Sequence, residues 1–312
     1  MTKPLSLTIV ICTYDRDRLL RKCLSALDRQ STPRDYFEIL VIDNKGTAAC
    51  RKACIEFDVR YVHEAKTGLS HARNTGYENT KTQWVLYLDD DGIPNEDLIE
   101  QFGVATSNPD IKIIGGRYSH YFEQDAPKWI HNYYQGFYEA TDSDRLTKLK
   151  PGEHLSGGIM AISKSLLVET DGFNPDLGMS GKRFGYGEEN EVQDKIRNLG
   201  YHIFYHPGMK MSHLVQPHKH SMRSRIQMAY AHGRDATVSV QKNKSIEFAK
   251  DVIRIVFITV PYDIGRILFR PNFRWQNGII STLGKLAAAL GRLQDRNTPL
   301  LNDNTEINQK NT

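Results

Sequence analysis

Cysteine is scarce in this chain: Cys12, Cys23, Cys50 and Cys54 are the only four among 312 residues, and their spacing is not that of a secreted disulfide scaffold. A reducing, cytoplasmic setting is expected. Cys50 and Cys54 share a helical face, but no second Cys or His pair follows at zinc-site spacing, which leaves packed thiols. No signal-peptide core precedes the first apolar strand, so no export signal is visible. No run of eighteen uninterrupted apolar residues occurs; the nearest, Val252 to Tyr262, is broken by Arg254 and Pro261. A spanning helix is therefore not expected. The first strand is not followed by a glycine-rich phosphate loop of dinucleotide or P-loop type, which disfavours a Rossmann dehydrogenase. Any phosphate must be held otherwise, most simply by a metal. Internal repeats are also missing.

What is present is a globular composition, 39% hydrophobic and 25% charged, with room for one large domain and an appendage. The net charge of +4 conceals an asymmetry. From Met209 to Arg296, 15 Lys and Arg stand against 5 Asp and Glu, whereas the rest of the chain has 26 against 32.

The stretch Trp84 to Gly92 (Trp-Val-Leu-Tyr-Leu-Asp-Asp-Asp-Gly) organises the rest. It reads as a buried strand delivering carboxylates to the carboxyl edge of a sheet, where α/β proteins bind ligands. Strand alternation sends Asp89 and Asp91 to one side and Asp90 to the other. Bare carboxylates there repel one another, and Mg²⁺ or Mn²⁺ relieves this while also holding substrate phosphates. The competing reading is a solvated acidic turn.

Leu5 to Cys12 predicts a first strand, followed by the loop Thr13-Tyr14-Asp15 and a helix with Leu19, Leu20, Cys23, Leu24 and Leu27 on one face. Phe37 to Ile42 predicts a second strand ending in Asp43-Asn44, and Val59 to His63 a third. A helix opening at Gly68 with Ser70 as N-cap follows. Alternating strands and helices imply a doubly wound, mostly parallel sheet, in which Thr13 to Asp15, Asp43-Asn44 and Asp89 to Asp91 converge at one edge. A long aromatic-rich region containing Trp129 reads as a lid or binding surface whose ring faces suit sugars, or as a small satellite core. Gly157 and Gly158 lie in a strand drawn from Leu155 to Ile162, where they permit close backbone approach to a ligand. Glu188, Glu189 and Glu191 open a helix, either as dipole-favoured acids or as catalytic carboxylates on a loop. His213, with His218 and His220 nearby, fits a metal cluster or solvated loop residues. Two further stretches, Ser245 to Phe269 and Phe273 to Leu293, are amphipathic with interleaved Arg and Lys. Residues 297–312 read as a disordered tail.

Several of these pieces recur in known order. Ile9 to Arg16 and Val41 to Asn44 look like the first strands and nucleotide loops of the family 2 glycosyltransferases, Gly68 to Gly76 like their helix beside the nucleotide, and Leu88 to Asp91 like their metal-binding carboxylates. Gly187-Glu188-Glu189 stands where that family has Gly-Glu-Asp, and His213 matches a histidine that completes the metal shell. The chain thus resembles family 2 glycosyltransferases of the GT-A fold from Leu5 to about Gly233. One departure is Glu189 in place of the usual Asp, which leaves Glu188 open as the base.

The resemblance implies a GT-A, Rossmann-like domain, drawn over residues 1–240, and charge and amphipathic patterning add a basic helical extension over 241–296. It implies inverting sugar transfer from a UDP- or GDP-sugar to a glycan or lipid-linked acceptor. Asp91, Asp89 and His213 would hold Mn²⁺ or Mg²⁺, and Glu189 or Glu188 would be the base. Thr13, Tyr14, Asp15, Asp43, Arg73, Asp89 and Asp90 would hold the nucleotide, while Gly157, Gly158 and Trp129 would line the acceptor or donor pocket. A haloacid-dehalogenase-type phosphatase is the rival enzyme, although its nucleophilic Asp ends a domain's first strand, and here three strands come earlier. A non-catalytic membrane-surface module is the other rival. The rear's basic residues alternate with aliphatic ones, which favours an anionic membrane surface at the cytoplasmic face over nucleic acid.

Overall fold

A computed structural model describes residues 6–181, 183–236 and 244–294; the expected domain boundary at 240/241 and the tail 297–312 lie outside them. Four βα units open the chain: β1 (Leu7–Thr13), α1 (Asp17–Leu27), β2 (Glu38–Asp43), α2 (Ala48–Glu56), β3 (Arg60–His63), α3 (Leu69–Glu78) and β4 (Trp84–Asp89), then β5 (Gly92–Pro94) and α4 (Leu98–Thr106). There follow β6 (Ile113–Tyr121), β7 (Phe137–Tyr138), β8 (Thr147–Lys148), β9 (Ile159–Ser163), α5 (Lys164–Glu169), α6 (Glu188–Asn198) and β10 (Phe204–Leu214). Among the described residues four α-helices follow: α7 (Met222–Asp235), α8 (Lys244–Arg254), α9 (Val260–Phe269) and α10 (Trp275–Leu293).

The sheet order is β3-β2-β1-β4-β9-β6-β10-β5. The first four strands are mutually parallel, β6 and β10 are parallel, and β9 runs antiparallel to both its neighbours. Only Asp90 and Asp91 separate β4 from β5, yet β9, β6 and β10 lie between them in the sheet. The sheet must therefore curl, and the acidic turn spans its open side.

Strand alternation divides the core. Leu7, Ile9 and Ile11 of β1 pack with α1, α2 and α4 on one face, while Val10 packs on the other with Ala72 of α3, Leu166 of α5 and Val192 and Ile196 of α6. Each fully buried aliphatic side chain contributes about 1.5–3 kcal/mol, so a sheet covered on both faces is strongly held. All four cysteines are free, and Cys50 and Cys54 are packed thiols in the first face.

Two local expectations need correction. Ser70 is not the N-cap of α3; Gly68 holds that position, its N–H bonded to Asn44 Oδ1 at 2.7 Å, and Ser70 Oγ donates to Leu177 O at 2.8 Å. The strand drawn from Leu155 starts only at Ile159, because Gly157 and Gly158 form a turn. Tyr118 and Tyr121 lie in the outer half of β6, along which β10 and β7 pair. That pairing is intolerant of side-chain bulk: a Cβ on Gly116 would lie 1.9 Å from Met209 O. Gly116→Ala should push β6 off β10, costing about 1–3 kcal/mol and lowering Tm by several degrees in a thermal melt; an unchanged Tm would show that the two strands can separate freely.

The helices α7 and α10 cross at backbone contact, with a Gly233 Cβ 2.0 Å from Ala288 O and a Gly291 Cβ 2.3 Å from Tyr230 O. No helix among the described residues is long and apolar enough to cross a membrane.

Candidate active site

The acidic turn builds the first half of the site. His213 Nε2 lies 3.4 Å from Asp89 Oδ2 and 3.2 Å from Asp91 Oδ1, and the ligand atoms of these three residues fall within 4.8 Å of one another. His213 arrives from the end of β10, which pairs with β5 beside the turn. Its Nδ1 faces the Leu214 carbonyl at 3.1 Å; a carbonyl only accepts, so Nδ1 carries the proton. Neutral Nε2 then points a lone pair at two carboxylates, an arrangement that needs a cation or a second proton between them. Burial disfavours the imidazolium, but Asp91 and Asp89 outweigh it and raise the His213 pKa. Asp89 is held down to about 2 although burial opposes this, because His213 and Arg73 stabilise its charge. Two hard carboxylates and an oriented imidazole fit Mn²⁺ or Mg²⁺.

Asp90 points the other way and is sequestered, accepting from Thr13 Oγ1 at 2.6 Å and Arg16 at 3.1 Å. Burial pushes it up to about 6, with Arg16 opposing and Asp91 assisting. Asp91 is also buried, and Gln216 Nε2 donates to its Oδ2 at 2.5 Å. Nothing in the sequence marks Gln216, since the contact depends on how the chain turns after β10. Arg16 could have been found as the cation closing the loop after β1.

A second acidic group faces Arg73. The guanidinium, 4% exposed, donates to Glu188 Oε1 at 2.8 Å, while Glu188 Oε2 and Glu189 Oε2 are buried with no hydrogen-bond partner. Burial and then Glu189 push Glu188 up to about 8, against the pull of Arg73. Burial works against the Arg73 charge too, but Glu188, Glu189 and Asp89 together raise its pKa. Arg73 is therefore the link between the two acidic groups. Glu189 is the more accessible glutamate, with Tyr118, Tyr138, Tyr186 and His232 near enough to feel its charge. Tyr118 in turn lies 5.1 Å, ring to ring, from His213.

The expected residues divide clearly. The three strand-end loops do converge: Asn44 N donates to Thr13 O at 2.9 Å, and Thr13 reaches Asp90. Tyr14 sits under Lys45 at 5.5 Å, and Asp15 is exposed with φ +56°. Asp43 is fully engaged, its oxygens accepting from the N–H groups of Lys45, Gly46 and Thr47 and from the Tyr61 hydroxyl. It shapes its loop rather than offering a free carboxylate. Gly157 and Gly158 make room for the site's own side chains, since a Cβ would meet Arg73 and Asp89 respectively at 2.5 Å. Trp129 corrects the sugar-face expectation. It is 6% exposed in a satellite core with Ile130, Val215 and Ile280, and its carbonyl accepts from Asn277, so it offers no free ring face. Cys12 lies beneath the site, its thiol pushed up to about 12 by burial and so neutral.

Comparison with known proteins agrees with this geometry. Glycosyltransferase AglE of Haloferax volcanii is 24% identical over 217 residues, 67% of each chain. The succinoglycan biosynthesis protein ExoM of Rhizobium meliloti is 24% identical over 242 residues, 74% of this chain and 75% of that protein. Among solved structures, the mannosyltransferase PcManGT of Pyrobaculum calidifontis, in complex with GDP-Man and Mn²⁺, superposes with a TM-score of 0.62 at 17% identity, covering 94% of this chain and 88% of that one. The fold is GT-A, and with the family model for Glycosyl transferase family 2 matching residues 8–169, the chain belongs to that family of glycosyltransferases.

Proposed function

We propose that this enzyme transfers a sugar, with inversion, from a UDP- or GDP-sugar to an acceptor hydroxyl in polysaccharide or glycolipid synthesis. The observation that carries this reading is the presence of two acidic groups with different partners, one on His213 and one on Arg73, joined through Arg73. Asp89, Asp91 and His213 would hold the divalent ion, which when bound neutralises the departing diphosphate. Thr13, Tyr14, Asp15 and Asp90 would hold the base and ribose, with Asp43 shaping the neighbouring turn. Glu189 accepts the acceptor's proton as its oxygen bonds to the anomeric carbon and the bond to diphosphate breaks. Glu188, fixed by Arg73, positions it. Gly157 and Gly158 floor the pocket by admitting Arg73 and Asp89.

A phosphatase reading needs Asp89 as a free nucleophile, but it is turned to His213. ExoM's part in succinoglycan biosynthesis and the GDP-Man and Mn²⁺ of the PcManGT complex support the donor and pathway class. The acceptor is a glycan or a lipid-linked sugar, and the enzyme works in the cytoplasm, peripherally at the inner face of a membrane, which the exposed apolar side of the C-terminal helices supports. A calorimetric screen of nucleotide sugars with and without Mn²⁺ tests the reaction. One UDP- or GDP-sugar should bind only with metal; binding of none overturns the reading.

A further inference from the structure

The segment from α8 through a π-helical turn (Ile255–Thr259) to α9 has its polarity reversed. Asp251, Ile255, Thr259 and Asp263, four apart, and then Arg266 face the protein, and one of these five is aliphatic. Asp251 pairs with Arg292 at 2.5 Å, Thr259 accepts from Lys285 at 2.9 Å, and Asp263, 3% exposed, pairs with Arg266 at 3.4 Å. The outer side carries Ile253, Val256, Phe257, Ile264, Leu268 and Phe269, between 51% and 83% exposed. A helix in water buries its aliphatic stripe and exposes its polar one. Here the arrangement is inverted, and a bare apolar face of this length marks an interaction surface.

Charge identifies what covers it. Arg254, Arg270 and Arg274 border the face, and none has an ion pair among the described residues, whereas Asp251 and Asp263 are both paired inward. A second copy docked by two-fold symmetry would bring these cations together; anionic headgroups would complement them. Tyr262 and Trp275, 60% and 56% exposed, supply the amphipathic rings favoured at a membrane interface. At the α9–α10 corner a groove of about 370 Å³ is lined by Leu268, Phe269, Arg270, Phe273, Arg274 and Trp275, apolar side chains with two guanidinium groups.

We propose that α8 and α9 lie in the plane of an anionic bilayer, their outer face among acyl chains and Arg254, Arg270 and Arg274 at the phosphates. This rests on the membrane-peripheral reading above and names the surface that serves it. The corner is tied to the aromatic segment by bonds from Asn132 to the Asn272 carbonyl and from Asn277 to the Trp129 carbonyl. Ring contacts continue from there, edge-on from Tyr134 to His120 and from His120 to Tyr118, then tilted from Tyr118 to His213. Docking thus sets the approach to the transfer site beside the membrane.

The test uses the full chain, because α10 packs on α7 and truncation would strip α7 of its partner. Sedimentation with phosphatidylcholine vesicles, with and without phosphatidylglycerol, should pellet the protein only in the anionic case, and less in high salt. A triple variant (Phe257→Glu, Leu268→Glu, Phe269→Glu) and a double variant (Arg270→Glu, Arg274→Glu) should each weaken vesicle binding at least about tenfold, with an unchanged Tm and unchanged nucleotide-sugar binding, since these side chains already face water. If wild type and triple variant pellet equally, membrane association stands but this surface is wrong. If wild type pellets with no vesicle, the membrane reading fails as well. Self-association that the triple variant abolishes, without vesicle binding, assigns the face to a second copy and overturns the proposal.

Discussion

Asp91→Ala is expected to lower sugar transfer by about three orders of magnitude, because ion stabilisation of a leaving diphosphate is worth several kcal/mol and each 1.4 kcal/mol is tenfold. Asp91 faces His213 at 3.2 Å and Gln216 at 2.5 Å, so its loss removes one of the three candidate ligands and leaves Asp89 and His213 alone. Mn²⁺-dependent nucleotide binding should weaken in parallel, measured by titration calorimetry. Asp91 is buried, so Asp91→Asn, which keeps the volume and can still meet Gln216, separates lost charge from lost packing. Its melt should match wild type while transfer stays low. Wild-type turnover in Asp91→Asn would sink the metal assignment.

Glu189→Gln should leave nucleotide-sugar binding intact and reduce kcat by about two to four orders of magnitude, the usual range for a lost general base. The amide retains shape and hydrogen bonding but cannot take the acceptor's proton. Burial and then the charge of Glu189 push Glu188 up to about 8, so Glu188 retains a proton beside the base that leaves as pH rises. The rate should therefore climb with pH until that proton is gone. Glu188→Gln removes that titrating group, and the ascending limb near pH 8 should be lost while kcat falls less than in Glu189→Gln. If Glu188→Gln is the variant that loses kcat with binding intact, the two glutamates exchange roles.

Much of this was legible in order along the chain. Short apolar runs and polar breaks predict β1 to β4 with their helices, and the glutamates at the start of α6 stand out by composition alone. The Asp89/Asp90/Asp91 alternation also held: Asp89 and Asp91 meet His213 and Asp90 turns to Thr13. The strands and helices are local features, whereas the aspartate alternation is carried on by the turn that holds Asp90 and Asp91 between β4 and β5.

What tertiary structure decided is which distant groups meet. The antiparallel insertion of β9 and the crossing of Asp90-Asp91 to β5 arise from long-range pairing, for which a strand's own residues carry no partner label. The same limit explains Asp43, whose free-looking carboxylate is consumed by the turn after β2, and Trp129, whose carbonyl is taken by Asn277 of α10 from 148 residues away and whose ring lies in a satellite core with Ile280. Gln216 was invisible for the same reason. In α8 and α9 the sequence by itself determined an amphipathic helix with an aliphatic stripe and a charged one. Only the packing of Asp251, Thr259 and Asp263 toward α10 decided that the aliphatic stripe faces outward, because periodicity gives the two faces but not which of them meets the protein.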